Sequence, residues 1–155
     1  MKPVYQKITE IGKGDCWRAC IASILELDID SVPNFVGEMN PLVGPTHYDT
    51  CKEWLRSRGL FMLDISLNND MEWFYFINWT MVEDAYAIAS VPSQKNQGGW
   101  HSVVIKFEKT CPKSTRLVII HDPRKDNEKY PEDVKIRRLQ FISNIVPQCL
   151  DNSKI

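Results

Sequence analysis

The chain has 155 residues, with Lys+Arg 19 against Asp+Glu 20 and 43% hydrophobic residues. That length suits a single domain, residues 1–155, which can bury roughly 70% of its unfolded surface and needs no metal or disulfide to fold. A formal net charge of -1 excludes the basic excess of a protein that coats nucleic acid, and no apolar run approaches the roughly 18 residues of a membrane span.

Residues Met1 to Lys7 lack the apolar core of a signal peptide, so the expected location is the cytoplasm. The 5 cysteines, an odd number, then point to free thiols and not to a disulfide framework. The first element starts at Asp15, a helix-capping residue. Behind it Trp17, Cys20, Ile21, Ile24 and Leu25 recur at the spacing of one apolar helical face. Asp28 to Phe35 reads as a short turn or helix, and Met39 to Pro45, with two prolines and Gly44, as a loop. Thr46 is the next cap; Tyr48, Cys51, Trp54 and Leu55 predict a second helix that stops at Gly59.

Beyond Gly59 the pattern turns to strands. Leu60 to Ile65 and Asp84 to Val91 are expected as two, and the aromatic-rich stretch Met71 to Trp79 fits helix or strand equally. Pro92 to Gly99 is a polar loop. His101 to Phe107 and Arg116 to His121 are two further strands around the turn residues Thr110 to Ser114, and Val134 to Val146 supplies a last strand or pair. Helices first and strands second describe an α+β domain.

Cys16 opens the first helix. A helix N-terminus favours thiolate over thiol, and its backbone N–H groups can hold the oxyanion formed when a thiolate attacks a carbonyl. The plain alternative is a small side chain filling space under Trp17. A nucleophilic cysteine needs a base and a group that orients the base. His101 begins one late strand and Asp122 ends the next, so pairing of those strands brings both to one edge of the sheet. Strict alternation places Val118, Ile120 and Asp122 on one face and His121 on the other.

Gly14-Asp15-Cys16-Trp17-Arg18-Ala19-Cys20, His101-Ser102-Val103-Val104 and His121-Asp122-Pro123 together resemble the papain-like cysteine peptidases. The nearest likeness is to the leader peptidases of bacteriocin exporters and to small proteins of bacteria and their phages. The latter share a stretch like Val32 to Phe35 and a helix like Trp54 to Gly59. The resemblance, which spans Gln6 to about Pro123, implies a cysteine helix packed on an antiparallel sheet and a Cys16-His101-Asp122 triad. It also implies a glutamine donor to the oxyanion. The only upstream glutamine is Gln6, which can serve if Ile8 to Lys13 loops outward.

The function expected is hydrolysis of a peptide or isopeptide bond in a protein or peptide substrate. The same thioester chemistry would serve an acyltransferase, transglutaminase or deamidase, and an inactive binding protein could keep the fold. No cofactor is expected, since there is no phosphate-binding glycine loop or dinucleotide fingerprint. Cys16, Cys20, His101 and His121 could imitate a zinc site, but zinc-binding cysteines more often come as C-x2-C on a turn. Cys20 reads as core and His47 as a surface residue that could line a cleft. Trp73, Phe74, Tyr75, Phe76 and Trp79 read as core, and Lys135, Arg137 and Arg138 as a solvated strand face.

Overall fold

The computed structural model describes residues 1–10, 12–36, 46–67, 85–95, 97–111, 114–126, 130–131 and 134–144. The expected loop Met39–Pro45, the aromatic stretch Met71–Trp79 and Cys149 lie outside the described residues. Among those described, the order is α1 (Cys16–Leu25), a 3-10 turn (Ile29–Ser31), α2 (His47–Arg56), then β1 (Leu60–Ser66), β2 (Tyr86–Pro92), β3 (Trp100–Cys111), β4 (Ser114–His121) and β5 (Arg138–Asn144). The fold is α+β. Among the described residues all strand pairs are antiparallel, in a 5-stranded sheet of order β1-β5-β2-β3-β4.

Each element follows from its residues. In α2 the Thr46 hydroxyl accepts from the Asp49 backbone N–H, and the Asp49 carboxylate accepts from the Thr46 N–H. This reciprocal pair satisfies two donors that the helix start would otherwise strand. Cys51 and Leu55, spaced four apart, form its buried face. The turn after α2 closes at Gly59, whose φ of +70 belongs to the left-handed region that glycine enters without strain. Asp15 precedes α1, but its carboxylate makes no capping bond to the helix. The start of α1 is therefore left open.

The sheet has apolar layers on both faces, because its strands alternate. On the helix side Ile88, Val104 and Met62 pack with Trp17, Cys20, Ile21, Cys51 and Leu55. On the other side Ala87, Ala89, Val91, Val103, Ile105, Phe107 and Leu139 form a second layer, against which Tyr130, Val134 and Ile136 pack. α1 lies across β2 and β3, and α2 against β1. The strands run further into the expected turn at Thr110–Ser114, since Cys111 is already paired with Ser114. Within the stretch expected as strand from Val134 to Val146, β5 begins only at Arg138, with Val134 and Ile136 used instead to cover the sheet. No helix among the described residues is long and apolar enough to cross a membrane.

One irregularity decides where the site falls. Val104 pairs with His121 but Ile105 pairs with Ile119, so Ile120 is an extra residue in β4. Such a bulge reverses the alternation beyond it. Ile119 packs on the layer away from the helices, as do Val103 and Ile105, whereas Ile120 packs on the helix side. His121, opposite Val104, then also belongs to the helix side, and Asp122 passes to the side of Val103. Simple alternation, which set Asp122 with Val118 and Ile120, is corrected here by the bulge.

Candidate active site

Four features converge at the end of the sheet where β3 begins and β4 ends. The first is Cys16, half-buried at the first position of α1. Its thiol faces the His101 ring and the backbone and hydroxyl of Ser102. Burial pushes the thiol up, but the hydrogen bond and charge of His101, together with the Ser102 bonds, outweigh it and hold Cys16 below its ordinary value.

The second is His101, 6% exposed, the second residue of β3. Its Nε2–H donates to Asp122 Oδ1 at 2.7 Å. Because Nε2 is committed there, Nδ1 is the nitrogen left for the thiol. Burial lowers the imidazole pKa, yet the bonds to Asp122 and Cys16 more than offset it, so the ring holds its proton above the ordinary value. The third is Asp122. Burial alone would raise its pKa; the bonds from His101 and Arg124 hold the carboxyl well below the usual carboxylate range. Cys16, His101 and Asp122 thus adjoin one another in turn, the thiol held below its ordinary value and the imidazole above its own.

The fourth is Gln6. Asp15 N–H donates to the Ile8 carbonyl at 3.2 Å, which brings these two residues together. Asp15 Oδ1 accepts from the N–H groups of Lys7 at 3.1 Å and Ile8 at 2.8 Å. The Gln6 N–H donates to the Pro123 carbonyl at 3.0 Å, which pins the residue beside Asp122. The Gln6 side chain lines the same cavity as Cys16 and His101, with Nε2 donating to the Ile8 carbonyl at 3.3 Å. Gln6 and Cys16, ten residues apart in sequence, thus line one cavity.

The cavity has a volume of about 710 Å³. Trp17, Tyr48 and His47 line it from the helices, Ser90 and Gln140 from the sheet, and Trp100, 43% exposed, from its edge. The Trp17 Nε1–H donates to Gln140 Oε1 at 2.6 Å, tying the residue after Cys16 to β5. His47 meets the Trp17 ring edge-on at 5.7 Å, which makes it a cleft residue. Lys95 and Asp126, which also line the cavity, form an ion pair.

Other expectations are placed as follows. Cys20 is fully buried in the helix-side core, where burial and the nearby charges of Cys16 and Asp122 push its thiol well up. His121 is turned away from Cys16; its Nε2–H donates to the Val4 carbonyl at 2.8 Å and its ring packs edge-on against Tyr5. Among the described residues no group of three His, Cys, Asp or Glu side chains could hold a metal ion. Arg138 departs from the solvated face expected of it: half-buried, it stacks over Tyr48 at 4.4 Å and pairs with Asp64 at 3.5 Å. Lys135 and Arg137 are exposed.

Sequence reasoning passed over Ser102, Arg124 and Tyr130. Ser102 belongs to the helix side of β3, so alternation could have aimed it at Cys16. Arg124 carried a usable signal as well, because an Asp side chain commonly accepts from the N–H two residues on. Comparisons of the chain with protein-family models, with curated proteins and with solved structures return no match.

Proposed function

We propose that the protein is a papain-like cysteine hydrolase that cleaves an amide bond, peptide or isopeptide, in a protein or peptide substrate. The observation that carries this reading is the placing of the Cys16 thiol beside His101, which is itself bonded to Asp122 Oδ1 at 2.7 Å, on the wall of an open cavity. Thiolate sulfur attacks the carbonyl carbon, and the electron pair of the C=O bond moves to oxygen. The Cys16 backbone N–H and the second N–H of Gln6 Nε2 are the donors for that oxyanion. On collapse the C–N bond breaks and the His101 imidazolium gives its Nδ1 proton to the leaving nitrogen, which departs as an amine. Neutral His101 then takes a proton from water as the water attacks the thioester, and the carboxylate product leaves with the thiolate restored. Asp122 orients the ring and stabilises its charge throughout.

A cavity of about 710 Å³ is in the range that encloses a few residues of an extended peptide. The test is a peptide library scanned for cleavage by the wild-type protein and by Cys16→Ala, with a peptidyl acyl-thiol probe mapped by mass. A covalent adduct at Cys16 and cleavage lost in Cys16→Ala support the reading. Turnover that survives Cys16→Ala, or no adduct at Cys16, overturns it. Products joined to an added amine in place of free carboxylate would assign the same thioester to acyl transfer.

A further inference from the structure

We propose that Arg124 and Tyr130 are positioning residues that clamp the Asp122 carboxylate, reserving its Oδ1 for the His101 ring; the proposal rests on the cysteine-hydrolase reading of this site. Each carboxylate oxygen receives two donors. Oδ1 accepts from His101 Nε2 at 2.7 Å and from the Arg124 backbone N–H at 2.8 Å. Oδ2 accepts from the Tyr130 hydroxyl at 2.8 Å and from Arg124 Nη2 at 3.2 Å. Two oxygens offer about four lone-pair sites, so the carboxylate is saturated.

The direction of the phenol bond is fixed as well. Arg124 Nη2 also donates to the Tyr130 oxygen, at 2.6 Å. A guanidinium can only donate, so the phenol's own proton goes to Asp122. The carboxylate cannot turn about its Cβ–Cγ bond without breaking both bonds at Oδ2. Unclamped, it would exchange oxygens and hold the imidazole in the bonding orientation for less of the time. The clamp is also buried, with Asp122 9% and Arg124 8% exposed, so water is a poor substitute for the missing donor. The bulge at Ile120 makes the arrangement possible, by moving Asp122 to the sheet face on which Tyr130 packs.

The other titratable groups near the pair are Cys20 beneath it and Glu10, His47, Lys95, Lys125 and Asp126 around the cavity. Lys95 and Asp126 are paired with each other. None of these contacts changes in Tyr130→Phe, which removes one hydroxyl and keeps the ring that packs on the sheet.

The experiment is the pH profile of Cys16 alkylation by iodoacetamide in the full chain, mapped by mass for each cysteine. Alkylation follows the thiolate fraction and needs no knowledge of the substrate. Tyr130→Phe should slow Cys16 labelling roughly fivefold at neutral pH, the worth of one net hydrogen bond, and move the profile midpoint upward. Arg124→Lys, which keeps the charge but cannot bond carboxylate and phenol together, should shift it in the same direction. In an Asp122→Ala background Tyr130→Phe should add nothing, since the hydroxyl acts through that carboxylate. Profiles of Tyr130→Phe and Arg124→Lys that overlay the wild type, with His101→Ala shifted, overturn the clamp and leave the triad standing. An additive effect of Tyr130→Phe on Asp122→Ala also overturns it. A His101→Ala profile identical to wild type overturns the triad reading itself.

Discussion

Cys16 and Cys20 are four residues apart on one helix, yet their surroundings drive them in opposite directions. Cys16 meets the imidazole and Ser102, while Cys20 meets apolar side chains and two negative neighbours. Cys51, also buried, is pushed up to about 12. Brief iodoacetamide treatment near neutral pH should therefore label Cys16 well before Cys20 and Cys51, and peptide mapping of the adducts checks the order. Equal labelling would mean that the imidazole does not stabilise the thiolate. The clamp also sets the outcome at Asp122. An asparagine there must turn its NH2 toward either pair of donors, and both pairs need an acceptor. Asp122→Asn should thus lower turnover about as much as Asp122→Ala. Kinetics of the two variants side by side would test this, and near-wild-type turnover in the asparagine variant would show that only orientation, without charge or acceptor count, matters.

At the scale of elements, the loop that carries Gln6 depends on one carboxylate. Asp15 holds the N–H groups of Lys7 and Ile8 through Oδ1, and Arg18 lies 3.6 Å from Oδ2. Asp15→Ala should free two part-buried donors at a cost of roughly 1–3 kcal/mol, seen as a lower midpoint in thermal unfolding. Amide exchange at Lys7 and Ile8 should accelerate while that of the β3 amides at Val103 and Ile105 stays slow. Protection unchanged at Lys7 and Ile8 would contradict the role assigned to Asp15. The same residue marks how far local pattern carries. Its place at the helix start was legible, because a short polar residue preceded an apolar face. Its real partners were not, since they depend on where the N-terminal segment lies across the helix. Thr46 was fully legible because both halves of its cap lie within four residues. His101 and Asp122 were legible as strand ends that meet. The bulge at Ile120 was not, since nothing in Leu117-Val118-Ile119-Ile120 distinguishes an extra residue from a regular one. Tyr130 was invisible for a related reason: no period of strand or helix links it to Asp122.

On the scale of the whole molecule, the triad couples folding to pH with a sign that can be worked out. Asp122 has its folded pKa depressed, so it adds stability above its unfolded value of roughly 4 and loses it as pH falls through the folded value. His101 has its folded pKa raised. It adds stability fully below its unfolded value of roughly 6.5, and that contribution fades as pH rises through the folded value. Both contributions are complete together only between about pH 4 and pH 6.5. Cys16, depressed in the fold, regains part of the loss once pH exceeds the ordinary thiol range near roughly 8.5, so the decline on the alkaline side should be shallow. Acid unfolding should be the steeper limb, because a protonated Asp122 cannot accept from all four of its donors and leaves the Arg124 guanidinium without its carboxylate. Thermal midpoints measured from pH 3 to pH 9 on the wild type, Asp122→Asn and His101→Ala give the comparison. Asp122→Asn should be less stable at neutral pH and its acid limb should flatten, since the group that titrates there is gone. His101→Ala should lose the decline above pH 6.5 but keep the one below pH 4. An acid limb equally steep in Asp122→Asn would assign acid unfolding to other carboxylates and separate the site's chemistry from the stability of the fold.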